Sequence, residues 1–240
     1  MFLCHAERDA ARFDCGLDWG RETGNGFIRI FRDDDSVDLL LQRQALVAVI
    51  EADPHGLAAQ IHVRAMAPEA PNTAALIERG EVILGVLACP SLPANGGGTG
   101  ALFTSLRGEG ASEFPLGSDA APGRAIGVSR VHSAAEARFC ESVESAHSDQ
   151  DESAQIAKLL GIHTPPHRID SQCKYAAVAR GDASIYLRMP TRADYREKIW
   201  DHAAGMLVVE CAGGRVSDIH GRALDFTHGR DTIVMTDLDF

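Results

Sequence analysis

Apolar and polar positions alternate clearly from residue 74 onward. Ala74–Glu78 and Val82–Ala88 read as two apolar strands joined by an Arg79–Gly80 turn. Pro90–Gly100 is a Pro/Gly-rich loop, and Ala101–Arg107 a third strand ending in a Gly-containing turn. Beyond residue 125 the period changes. A strand at Ala125–Ser129 precedes a helix at Ala134–Ser145 and another at Asp151–Leu160, stopped by Gly161. Ser171–Ala179 reads as helix and Ala183–Arg188 as strand. Strands alternating with helices in this way predict an α/β unit. Before residue 72 the pattern is irregular. One apolar run, Leu39–Ile50, fits a helix or a strand followed by a helix, and the acidic run Arg32–Asp35 fits a solvated turn.

The last strong element is WDHAAGMLVVECAGG, Trp200–Gly214. Asp201 fits the helix N-cap, because its carboxylate can accept an orphan backbone N–H. Ala203, Ala204 and Met206–Val209 continue the helix, and Gly213 and Gly214 suit its stop, with Val216 opening a strand. A carboxylate beside free N–H groups suits a metal ion and a phosphate together. The same pattern fits an ordinary capped helix packed by Trp200.

Composition narrows the classes. At 240 residues the chain can bury one good-sized core or two small ones. With 45% apolar and 24% charged residues it reads as a soluble globular protein. A net charge of −11 argues against a nucleic acid polymer as partner, though not against a small nucleotide. No apolar run reaches membrane-spanning length, and the charged start MFLCHAERDAARFD lacks a signal-peptide core, so a cytoplasmic location is expected. Cys4, Cys15, Cys89, Cys140, Cys173 and Cys211 form no CxxC pair and read as reduced thiols. Gly96–Gly100 lacks the Lys-Ser/Thr of a P-loop.

Four blocks carry a resemblance: ERGEVILGVLACPSLP, AHSDQDESAQIAKLLGI, RIDSQCKYAAVARGDASIYLRMP and YREKIWDHAAGMLVVECAGGRVSD. The last resembles the C-terminal signature of the inositol monophosphatase superfamily of magnesium-dependent phosphatases. Together they resemble its 3'(2'),5'-bisphosphate nucleotidase branch, whose members hydrolyse 3'-phosphoadenosine 5'-phosphate to AMP in sulfur assimilation. The resemblance implies the layered αβαβα sandwich of that superfamily and Mg²⁺ as cofactor. It makes Asp201 a metal ligand that also faces substrate, and His147, Ser171, Lys174 and Arg188 the residues that hold the nucleotide. The chemistry of these side chains agrees. Lys174 is a compact cation, Arg188 a planar fork, and Ser171 a donor for a phosphate oxygen. Read without the family, Lys174 pairs with Asp170, Ser171 lies near a helix N-cap, and Arg188 forms a surface ion pair.

The blocks divide the chain into an atypical segment 1–71, a remnant of the N-terminal sheet at 72–124, and a C-terminal α/β domain at 125–240 with the nucleotide and metal positions. The family's Glu-Glu pair and Asp-Pro-Ile-Asp-Gly-Thr motif, which carry most metal ligands, do not occur. LDWGRETGNGFIR, Leu17–Arg29, resembles the second motif, with Asp18 and Thr23 for its first Asp and its Thr. Mg²⁺ clusters usually use two or more protein carboxylates. Asp14, Asp18, Glu22, Asp33, Asp34 and Asp35 are the candidates to join Asp201. Three readings stay open: an active nucleotidase, a catalytically inactive nucleotide-binding remnant, and an inositol phosphate phosphatase. A core without its N-terminal helices leaves sheet uncovered and predicts self-association, which a sharp monomer peak in size-exclusion chromatography would contradict.

Overall fold

The computed structural model describes residues 73–77, 80–116, 123–143, 151–188, 199 and 201–227 in full. It describes 14–19, 25–32, 35–42, 46–52, 59–65, 72, 78, 150 and 200 as backbone elements. The chain opens with β1 (Asp14–Trp19), β2 (Asn25–Arg32), β3 (Asp35–Gln42), β4 (Leu46–Ala52) and β5 (Ala59–Ala65). β6 (Asn72–Glu78), β7 (Glu81–Cys89), β8 (Ala101–Leu106), β9 (Gly110–Pro115) and β10 (Arg124–Ala125) follow. They build an eight-stranded sheet, β1-β2-β3-β6-β7-β8-β9-β10, with β4 and β5 paired separately. The apolar run Leu39–Ile50 is therefore divided between the strands β3 and β4, not a helix. Its aliphatic, partly β-branched residues match a strand at least as well as a helix turn.

The chain then makes a 3₁₀ turn (Ala134–Glu136), β11 (Phe139–Glu141), α1 (Gln150–Leu159), β12 (His167–Arg168), α2 (Cys173–Ala179), β13 (Ile185–Tyr186) and α3 (Ile199–Cys211). β11 lies between β12 and β13, parallel to both. The helix expected at Ala134–Ser145 is thus replaced by a turn and a strand. Ala-rich propensity loses to burial, because Phe139, Cys140 and Glu141 are all enclosed once β11 is central. The strand expected at Ala125–Ser129 shortens to Arg124–Ala125, and Val128 N–H then donates to Ala212 C=O. Val216 opens no strand; Gly214 N–H closes back on Val209 C=O at the end of α3.

Among the described residues, helix α3 lies in the main buried cluster. Leu207, Val208, Ala203 and Ala204 are essentially inaccessible to water, and the helix packs against β6, β7, β8 and α2. Each fully buried Leu or Val adds about 1.5–3 kcal/mol. Two glycines allow the approach. A Cβ at Gly85 of β7 would sit 2.7 Å from Ala204 C=O, and a Cβ at Gly205 would collide with the ring of Tyr175 in α2. One buried cluster joins Ala75, Leu87 and Phe103 of the large sheet to Cys140, Ala176 and Leu207. On β8 the opposite face, Leu102 and Thr104, stays half-buried. Among the described residues no helix is long and apolar enough to cross a membrane.

Candidate active site

Three strands of one parallel sheet end together, and ligands of α/β proteins collect outside such carboxyl ends. β11 ends at Glu141 and leads to Ser142. β12 ends at Arg168 and leads to Asp170 and Ser171. β13 ends at Tyr186 and leads to Arg188. Asp201, in the first turn of α3, meets them: its Oδ2 lies 3.6 Å from the Arg188 guanidinium. α3 begins at Ile199, so Asp201 stands inside the first turn and not at the N-cap. It still lies at the positive end of the helix dipole.

Lys174, the second residue of α2, is only 5% exposed. Its Nζ donates to Ser142 Oγ at 2.9 Å and lies 5.5 Å from the centre of the Tyr186 ring. Burial lowers its pKa from the ordinary 10.5. The Arg188 charge adds to that, while Cys140, Asp170 and Cys173 act the other way. Asp170 is not a helical partner of Lys174; its Oδ1 accepts the Val143 N–H at 2.9 Å and ties the β11 and β12 ends together. Ser171 holds a left-handed backbone, φ 60°, uncommon outside glycine. Its Oγ accepts the Cys173 N–H at 3.3 Å, although the residue before α2 is Gln172. Tyr186 meets Tyr175 edge-on, and the Tyr175 hydroxyl and His202 Nδ1 share a 2.7 Å hydrogen bond. A continuous set of contacts thus runs from Ser142 through Lys174, Tyr186 and Tyr175 to His202, the residue beside Asp201.

The arrangement brings Lys174, Arg188, the Ser171 hydroxyl and the Asp201 carboxylate to one sheet end, a set suited to a phosphorylated small molecule. Of the five residues expected from sequence, Ser171, Lys174, Arg188 and Asp201 come to this end, and His147 lies outside the described residues. Ser142, Tyr175 and Tyr186 were not expected. A strand assignment for Phe139–Glu141 places Ser142 at its carboxyl end, and the helix expected there concealed it. Among the described residues no group of three or more His, Cys, Asp or Glu is placed to hold a metal ion.

The model of the Inositol monophosphatase family matches residues 73–237. The chain belongs to the inositol monophosphatase family. A 3'(2'),5'-bisphosphate nucleotidase of Emericella nidulans is 46% identical over 171 residues, covering 65% of this chain and 49% of that protein. One of Oryza sativa is 50% identical over 166 residues, covering 65% of this chain and 46% of that protein. The extragenic suppressor protein suhB of Bartonella henselae is 23% identical, with a TM-score of 0.48 over 69% of this chain and 56% of that one. The chain spans about half the length of the curated relatives it matches.

Proposed function

We propose that the chain is a magnesium-dependent phosphatase of the 3'(2'),5'-bisphosphate nucleotidase type, acting on 3'-phosphoadenosine 5'-phosphate. The observation that carries this reading is the meeting of Lys174, Arg188 and Ser171 with Asp201 at the ends of β11, β12 and β13. The likeness to curated nucleotidases supports it, and the family match over residues 73–237 spans these residues. Lys174 and Arg188 would neutralise phosphate, and Ser171 would donate to a phosphate oxygen. His147, from the block AHSDQDESAQIAKLLGI, would meet the nucleoside side. In the reaction a water oxygen bonds to phosphorus as the water gives up a proton, and the bond from phosphorus to the 3' oxygen breaks. That oxygen takes up a proton and leaves as the AMP hydroxyl, with inorganic phosphate as the other product.

Metal would supply the activated water and offset the phosphate charge. Asp201 is the described carboxylate that would hold it. Alone it does not fit a Mg²⁺ cluster, which usually draws on two or more protein carboxylates. The candidates for further ligands are Asp14, Asp18, Glu22, Asp33, Asp34 and Asp35, whose side chains lie outside the described residues. A second reading has its own support. Asp201 faces the Arg188 guanidinium at 3.6 Å, an ion pair that suits nucleotide binding without hydrolysis.

Phosphate release from 3'-phosphoadenosine 5'-phosphate, with and without Mg²⁺, separates the two. Activity is expected to need Mg²⁺ and to fall at least a hundredfold in Asp201→Ala, about 2.7 kcal/mol of barrier. Binding of AMP without any release would replace the hydrolytic reading with the binding one.

A further inference from the structure

Ser142 lies one residue beyond β11 and is 2% exposed. Its hydroxyl accepts a hydrogen bond from Lys174 Nζ at 2.9 Å, and both partners are buried. A lysine this enclosed is costly to keep charged unless its N–H groups meet acceptors. The ammonium carries three donors. Ser142 takes one from the β11 side, and the Tyr186 ring face, on β13, attracts the charge from another. Two elements of the parallel sheet therefore fix where a lysine from α2 points. Without them its flexible four-carbon stem would leave the charge undirected.

We infer that Ser142 is a positioning residue, whose hydroxyl sets the Lys174 ammonium in the direction from which it meets a nucleotide phosphate or hydroxyl. The inference rests on the nucleotide reading of the site. It adds a residue that touches no ligand and acts through Lys174.

Two measurements on the full chain test it, with AMP as the probe. Isothermal titration calorimetry compares wild type with Ser142→Ala and with Ser142→Cys, a nearly isosteric change to a weaker acceptor. Both variants are expected to bind AMP about tenfold more weakly. Nitrogen-detected NMR of the Lys174 ammonium, without nucleotide, follows its titration. A lost hydrogen bond to the charged form should lower the Lys174 pKa further in both variants. An unchanged titration in the variants overturns the inference whatever the AMP affinity. A lowered pKa in a chain whose wild type does not bind AMP leaves Ser142 as the residue that sets Lys174, and overturns the nucleotide reading instead. If Ser142→Ala does not fold, Ser142→Cys carries both comparisons.

Discussion

Replacing Gly205 by Ala tests how α2 and α3 are held together. In an open helix this change stabilises by about 1 kcal/mol, because alanine is the better helix former. Here the added Cβ would lie 2.8 Å from the Tyr175 Cβ and closer still to its ring carbons. Tyr175 is 6% exposed, sits edge-on to Tyr186, and shares its hydroxyl with His202, so it has no free space to retreat into. Overpacking of this kind costs about 1–3 kcal/mol, and loss of the Tyr175–His202 bond adds about 1 kcal/mol. Against the propensity gain, Gly205→Ala is expected to lose about 1–3 kcal/mol, a fall in Tm of roughly 2–12 °C for a chain of this size. Urea and thermal unfolding followed by far-UV circular dichroism measure it. A variant as stable as wild type, or more stable, would refute the packing described for the two helices. Because Lys174 precedes Tyr175, the destabilised variant should also bind AMP more weakly.

Lys174→Met keeps the stem and removes the charge, so AMP binding should fall at least tenfold while stability at pH 7 holds or rises; a variant that binds normally would remove Lys174 from the site. Its pH dependence has a definite sign. The folded pKa lies below the ordinary 10.5, so between the two values the unfolded chain binds more protons and wild-type stability rises with pH. Lys174→Met should lose that alkaline rise, and urea midpoints across the window would show whether it does. Elsewhere, Arg180 and Glu113 have side chains 7% and 3% exposed and pair at 2.8 Å. Glu113 also accepts from Asn95, and Arg180 donates to Pro93 C=O and Asp182. Arg180→Met strands a buried carboxylate and should cost about 3–5 kcal/mol in urea unfolding, with Arg180→Met/Glu113→Gln costing less. Equal stability of single and double variants would show that the pair is not the source of the loss.

The antiparallel strands β6 to β8 were legible to within two residues, because each is long enough for alternation to register. Polar turns and the Pro90–Gly100 loop bound them. α1 and the body of α3 were legible for the matching reason at helical period. Of the parallel sheet only β13 was legible, inside the strand expected at Ala183–Arg188. β12 has two residues and β11 three, too few to show a period, and the Ala-rich approach to Phe139 suggests helix. Burial between two neighbours decides that segment, and burial is a property of the fold. The site follows the same division. Ser171, Lys174, Arg188 and Asp201 stood out because they lie in blocks that resemble a family. Ser142 did not, since a serine has no chemistry of its own until a lysine from another element reaches it.

Glycine at 85 lets α3 approach the large sheet at backbone distance, and glycine at 205 lets the Tyr175 side chain of α2 lie directly against the helix. The Asp201 end and the Lys174 end of the site are then walls of one block, joined by rings and hydrogen bonds rather than by a hinge. A ligand held at the proposed site would find these charges already in place. Little of its binding free energy goes to ordering the protein, so even a small fragment such as inorganic phosphate should gain most of the affinity its own contacts allow. In the proposed site the same stiffness would disfavour a ligand carrying an added bulky group, so selectivity would come from exclusion as well as from attraction.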